Sequence, residues 1–114
     1  YKYNNLKFIH LDATRDNLPR GDIIFFRQVL QHLSNKQIKN ILRKCQAYKW
    51  LIITEHQPKD ENFTPNKDIN AGSGIRILWD SGIDLEKAPF GMKSFKVRNL
   101  CEVEDDHGKI ITKV

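Results

Sequence analysis

The sequence predicts a three-layer α/β domain whose sheet is mostly parallel, with an antiparallel strand near one edge. Three observations predict it. Short apolar runs at Leu6–Leu11, Ile23–Phe26 and Trp50–Thr54 each end on polar residues. An amphipathic helical segment separates the second and third runs, and two further strand-like runs close the chain. Short apolar strands with helix between them mark parallel strands covered on both faces, and such sheets bind ligands along the edge where the strands end.

The first run, LKFIHL, predicts a strand that is left through Asp12, Ala13 and Thr14. RDNLPRG follows as a loop, with Pro19 and Gly21 as breakers. Ile23–Phe26 is unbroken and apolar, which suits a strand buried on both faces. Ser34 is a good N-cap and Gln37 completes a capping box, so a helix is expected from Ser34 to about Tyr48. Ile38, Ile41, Leu42 and Cys45 recur at helical spacing, while Lys36, Lys39, Asn40, Arg43 and Lys44 fill the other face. Leu33 and Ile38 stand where a hydrophobic staple packs. Trp50–Thr54 then predicts a second buried strand.

Gln57–Gly74 is a long polar segment ending in Gly72 and Gly74. A connection of this length reads as a lid, a binding loop or a disordered stretch. Ile75–Trp79 fits strand or helix equally, and Ser81–Met92 is loop-like with room for one helical turn. Phe95–Val103 and Lys109–Val114 predict strands joined through the turn-forming tetrad Asp105–Gly108.

The 114 residues make one domain by length. Hydrophobic residues are 39% and charged residues 29%, an ordinary water-soluble balance. No apolar run approaches the roughly 20 residues that span a bilayer, and the polar opening YKYNN predicts no secretory signal. The net charge of +5 permits an anionic partner, but the 19 Lys and Arg are scattered along the chain. That pattern reads as a solvated surface and makes a nucleic-acid interface an unfavoured expectation. Cys45 falls on the apolar helix face and Cys101 has no CxxC partner. Free thiols point to a reducing, cytoplasmic setting, and no zinc-ligand spacing is present.

The order of these pieces resembles the C-terminal half of a class I S-adenosylmethionine-dependent methyltransferase. The matching residues are LDAT (Leu11–Thr14), GDIIFFRQVLQHLS (Gly21–Ser34), the capped helix, WLIITEH (Trp50–His56) and the closing strands. The resemblance implies an incomplete Rossmann-like sheet, since the family's glycine-rich loop and the acidic residue after its second strand have no counterpart here. Gly72-Ser73-Gly74 follows a polar loop and does not supply that loop. In the family the sheet order is 3-2-1-4-5-7-6. Without strands one and two, Ile23–Phe26 has an open edge. Either Lys7–Leu11 slides in beside it, or a second copy of the chain pairs there, and self-association into a homo-oligomer is expected.

The resemblance also assigns roles. Asp12 and Ala13 match the pair beside the adenine of S-adenosylmethionine; a turn-forming aspartate is the alternative reading of Asp12. Arg27 and Gln28, at the end of the family's fourth strand, fall at the methyl-donor pocket, with Arg27 able to pair a carboxylate. Glu55 and His56 fall beside the acceptor, where an imidazole can take a proton. His32, Arg76 and Trp79 are candidate acceptor-binding residues, against packing or turn-stabilising roles for each. The implied reaction is methyl transfer to a small-molecule acceptor, with cofactor affinity weak or absent in the isolated chain. The alternative is a non-catalytic α/β interaction module on the same scaffold.

Overall fold

Among the described residues a sheet of four strands carries the fold, and one helix covers one of its faces. The computed structural model describes residues 5–92, 98–104 and 109–113. Strand β1 (Ile23–Arg27) leads through a 3-10 turn (Leu30–His32) into helix α1 (Asn35–Cys45). Strand β2 (Trp50–Gln57) follows, then a 3-10 turn at Arg76–Trp79, and strands β3 (Asn99–Glu104) and β4 (Lys109–Lys113) close the sheet. The order is β1-β2-β4-β3. β1 and β2 run parallel, in the register Ile23 to Trp50 through Arg27 to Thr54. β4 is antiparallel to both β2 and β3. The α/β class therefore holds. The expected polarity holds too: among the described residues β1, β2 and β3 point the same way, and β4 alone is reversed, next to the edge strand β3.

β2 outruns its expected end at Thr54 because it has two neighbours. Its first half pairs with β1, and Ile53–Gln57 pairs with β4. That second ladder keeps Glu55 and His56 extended.

The helix starts where its cap signals place it but ends at Cys45, short of the expected Tyr48, because the Ala47 and Tyr48 amides turn back to Lys44 O and Cys45 O. Ser34 Oγ accepts the Gln37 amide, and Gln37 Oε1 accepts the Ser34 amide at 3.0 Å, a complete capping box. Asp68 adds a second acceptor, taking the Asn35 amide at 2.8 Å. Arg43 and Lys44 lie in the last turn, where cations suit the helix dipole. Ile38, Ile41, Leu42 and Cys45 are buried against Phe26, Leu30 and Ile83.

Strand alternation sends Ile24, Phe26, Leu51 and Ile53 toward this core. The other sheet face is open at its start among the described residues, where Ile23 is 48% exposed, Phe25 68% and Trp50 57%, and is half-buried at Ile52, Thr54 and His56. This corrects two expectations. The described chain forms two layers, not three, and neither Ile23–Phe26 nor Trp50–Thr54 is covered on both faces. A single helix packs along one face of a sheet, and the described chain offers no second helix for the other.

Residues 6–11 form no strand, which also corrects the sequence reading. They do not slide in beside β1; Leu6, Phe8 and Ile9 stay 52%, 89% and 50% exposed. The cause lies in the connector that follows. Asp12 O accepts the Arg15 and Asp16 amides in a tight turn. Lys44 Nζ ties Ala13 O at 3.0 Å and Asp16 O at 2.6 Å to the end of α1, and Tyr48 Oη bonds Pro19 O. The preceding segment is thereby directed away from β1.

The long polar segment is not a free lid. Asn66 N donates to Gly82 O, Lys67 N to Ser81 Oγ, and Gly72 N to His32 O. Ile75–Trp79 resolves to a 3-10 turn that ends on Asp80 at φ 55°. β3 begins at Asn99, later than the expected Phe95, and residues 93–97 lie outside the described residues, as does the Asp105–Gly108 connection.

Candidate functional site

The polar residues gather where β1 and β2 end. β1 stops at Gln28, which takes φ 52°, a left-handed conformation that few residues other than glycine adopt. Its N–H donates to Thr54 O at 2.6 Å, so the last rung of the parallel ladder is made before the chain turns. Val29 then enters the 3-10 turn.

That turn is gripped from two sides. Glu55, 3% exposed, takes the Leu30 N–H on Oε1 at 2.9 Å and the Gln31 N–H on Oε2 at 3.3 Å. Arg76, 1% exposed, gives Nη1 to Leu30 O at 3.2 Å and to Gln31 O at 3.4 Å. Its Nη2 reaches Asn35 Oδ1 at 2.7 Å and its Nε reaches Lys67 O at 2.8 Å. One guanidinium thus joins the 3-10 turn, the first residue of α1 and the long loop. Gln31 is buried as well, and its Oε1 accepts the His56 N–H at 3.0 Å.

Burial drives the Glu55 carboxyl up to about 7, against the amides of Leu30, Gln31 and Val29 and the charge of Arg76, which pull it down. Burial also lowers Arg76, opposed by Asp68 and Glu55. At the other end of the chain Asp12 falls to about 2. The Thr14 hydroxyl and amide bond its carboxylate, and Arg15 Nε lies 3.0 Å from Oδ2.

The structure brings seven of the nine sequence-derived candidates to this edge. Arg27 is exposed there and Gln28 makes the turn. His32 is half-buried with Nδ1 3.3 Å from Gly74 O; a carbonyl only accepts, so the proton sits on Nδ1. Trp79 stands beside Gly74 and is 51% exposed. Arg76 and Glu55 face inward, Glu55 committed to backbone amides and Arg76 to three backbone carbonyls and Asn35 Oδ1. Glu55 and His56, adjacent in sequence, project to opposite faces of β2 and do not act on one point.

Asp12 and Ala13 do not join them. Lys44 holds Ala13 at the C-terminal end of α1, which lies at the opposite edge of the sheet, where β2 starts. An open cleft of about 530 Å³ lies at that same far edge, between Arg20, Gly21, Lys44 and Tyr48. Its cationic and hydroxyl groups are partly spent: Lys44 and Tyr48 bond the connector.

Sequence reasoning missed Asn66. It is 5% exposed at φ 59°, and its side-chain amide donates to Asp84 O, Lys87 O and Ala88 O while Oδ1 accepts the Asp84 N–H. An asparagine inside a polar loop carries no periodicity, and only its preference for left-handed backbone hinted at the role. Among the described residues no cluster of His, Cys, Asp and Glu suits a metal ion, and no helix is long and apolar enough to cross a membrane.

No family model, curated protein or solved structure matches this chain.

Proposed function

We propose that the chain carries the acceptor-side half of an S-adenosylmethionine-dependent methyltransferase scaffold that serves a small-molecule acceptor. One observation supports this reading above the others. The order β1-β2-β4-β3, with a parallel first junction and two antiparallel ones, is the order and polarity of the 4-5-7-6 stretch that the resemblance implies. Arg27, Gln28, His32 and His56 then line the edge where such a sheet takes its ligands. His32, with Nδ1 oriented by Gly74 O, keeps Nε2 for an acceptor proton. Glu55 and Arg76 hold the turn that carries it. Two unpaired cysteines fit a cytoplasmic setting.

The residues present do not fit the whole cofactor. There is no glycine-rich loop after a buried strand, and Asp12 sits at the far edge of the sheet. Of the weak or absent affinity expected, the reading commits to a weak remnant, carried by Arg27, Gln28 and His32. Titration of the 15N-labelled chain with S-adenosylhomocysteine tests it. Weak, millimolar-range binding that shifts the Arg27, Gln28 and His32 amides is expected. Micromolar affinity would overturn the incomplete-site argument. No shift at saturating concentration removes the methyltransferase reading and leaves the second one, a non-catalytic interaction module. The exposed apolar face of Ile23, Phe25 and Trp50 is what favours that second reading.

A further inference from the structure

We propose that two copies of this chain exchange residues 6–11 as strands, each laying its Leu6–Leu11 segment along the open edge of the other's β1. This gives the interaction-module reading a partner and a surface, and it stands whether or not a cofactor binds.

Two open surfaces on the same chain fit one another. β1 has a neighbour on one side only among the described residues, so the other side presents unpaired backbone groups. Residues 6–11, LKFIHL, are apolar and rich in strand formers, yet make no ladder and expose Leu6, Phe8 and Ile9. Their lengths match: six residues extended span about 20 Å and the five of β1 about 17 Å.

The charges choose the direction. Laid parallel to β1 with Lys7 beside Asp22, the segment sets Asp12 beside Arg27, so both ends carry opposite charges. The same register puts Ile9 and Leu11 with Ile24 and Phe26 toward the helix face, and Phe8 beside Ile23 on the open face. The antiparallel register that also turns Ile9 and Leu11 to the helix face, Leu11 against Ile24 and Ile9 against Phe26, sets Lys7 against Gln28 and Phe8 against Arg27 and so makes neither ion pair.

The connector dictates that the exchange is between copies. Lys44 and Tyr48 hold residues 13–19 at the edge of the sheet where β1 begins. A parallel strand on the chain's own β1 would need Asp12 at the opposite edge, where β1 ends. In a two-fold pair with the two β1 strands running in opposite directions, one copy's start edge faces the other's end edge. The exchanged segment then reaches its place with the connector unmoved. The two-fold repeats every contact, which brings a short strand toward the roughly 1,200–2,000 Å² buried by a stable interface.

Sedimentation equilibrium of the whole chain across the micromolar range tests the proposal. A dimer is expected. Ile9→Asp abolishes it with an unchanged far-ultraviolet circular dichroism spectrum, because Ile9 is exposed within its own chain. Lys7→Glu and Asp22→Lys each weaken the dimer by about two- to thirtyfold, as expected for one exposed ion pair counted twice. The double variant restores it. A wild-type monomer throughout, a dimer that survives Ile9→Asp, or a double variant no tighter than the singles overturns the proposal.

Discussion

Glu55 and Arg76 hold the two polar ends of one residue. The carboxylate takes the Leu30 N–H at 2.9 Å, and the guanidinium gives a hydrogen bond to Leu30 O at 3.2 Å. Leu30 is fully buried, so neither backbone group has water to turn to. The turn that follows β1 is therefore set by two side chains from elements far along the chain.

Glu55 makes stability depend on pH. Its carboxyl titrates near 7 in the folded protein, above the ordinary 4.5, because of burial. The folded state therefore holds the proton more tightly than the unfolded one. Stability is highest below about pH 4.5, as far as this group is concerned, and falls as pH rises through about 7, by up to roughly 3 kcal/mol. Urea midpoints measured at pH 5 and 8 check the slope. Glu55→Gln flattens it and lowers stability at pH 5 by about 1–2 kcal/mol, since its amide nitrogen faces the Gln31 N–H.

Arg76 is more demanding. Arg76→Ala leaves the buried carbonyls of Leu30 and Gln31 and the part-buried Lys67 O and Asn35 Oδ1 without their donor. A loss of about 3–5 kcal/mol is expected. Arg76→Lys recovers little, because one ammonium cannot span acceptors in three elements. Urea denaturation and the dispersion of an amide correlation spectrum measure both.

Asn66 combines a left-handed backbone with a four-bond amide. Asn66→Asp keeps the shape and the acceptor but loses the donors to Asp84, Lys87 and Ala88. It should cost about 2–3 kcal/mol. Asn66→Gly relieves the backbone yet loses all four bonds, so it should be no more stable than the aspartate variant. Equal stability of wild type and Asn66→Gly in thermal melts would show that the amide network contributes no more than the backbone relief.

Capping and thiol burial give two simpler checks. Ser34→Ala removes the capping hydroxyl and should cost about 1 kcal/mol. Cys45 is buried, which drives its thiol up to about 11, whereas Cys101 is exposed. Ellman's reagent at pH 8 should titrate one thiol quickly in the native chain and the second only in denaturant. Rapid reaction of both would contradict the packing of α1 on the sheet.

Local signals settled the parts of the fold that local chemistry governs. The Ser34–Gln37 box and the Ile38, Ile41, Leu42, Cys45 stripe fix a helix because capping and period are properties of a few neighbouring residues. The apolar runs at Ile23 and Trp50 are strands, and they run parallel because a helix connects them. The sequence also marked seven residues, six of them polar, that converge at one edge. It misjudged what several of them do. Arg76 and Glu55 look like site residues in a string of letters, but Glu55 is consumed by the Leu30 turn and Arg76 by that turn, Asn35 and Lys67.

The amino-acid order by itself determined the α/β class, the helix and the edge at which polar groups assemble. Tertiary structure decided that LKFIHL stands off the sheet, that one sheet face is open at its start, and that Asp12 lies far from Arg27. The reason is physical. A strand exists only if another backbone meets it, and whether residues 6–11 find one was set by where Lys44 and Tyr48 anchor the connector, which the string of residues does not express.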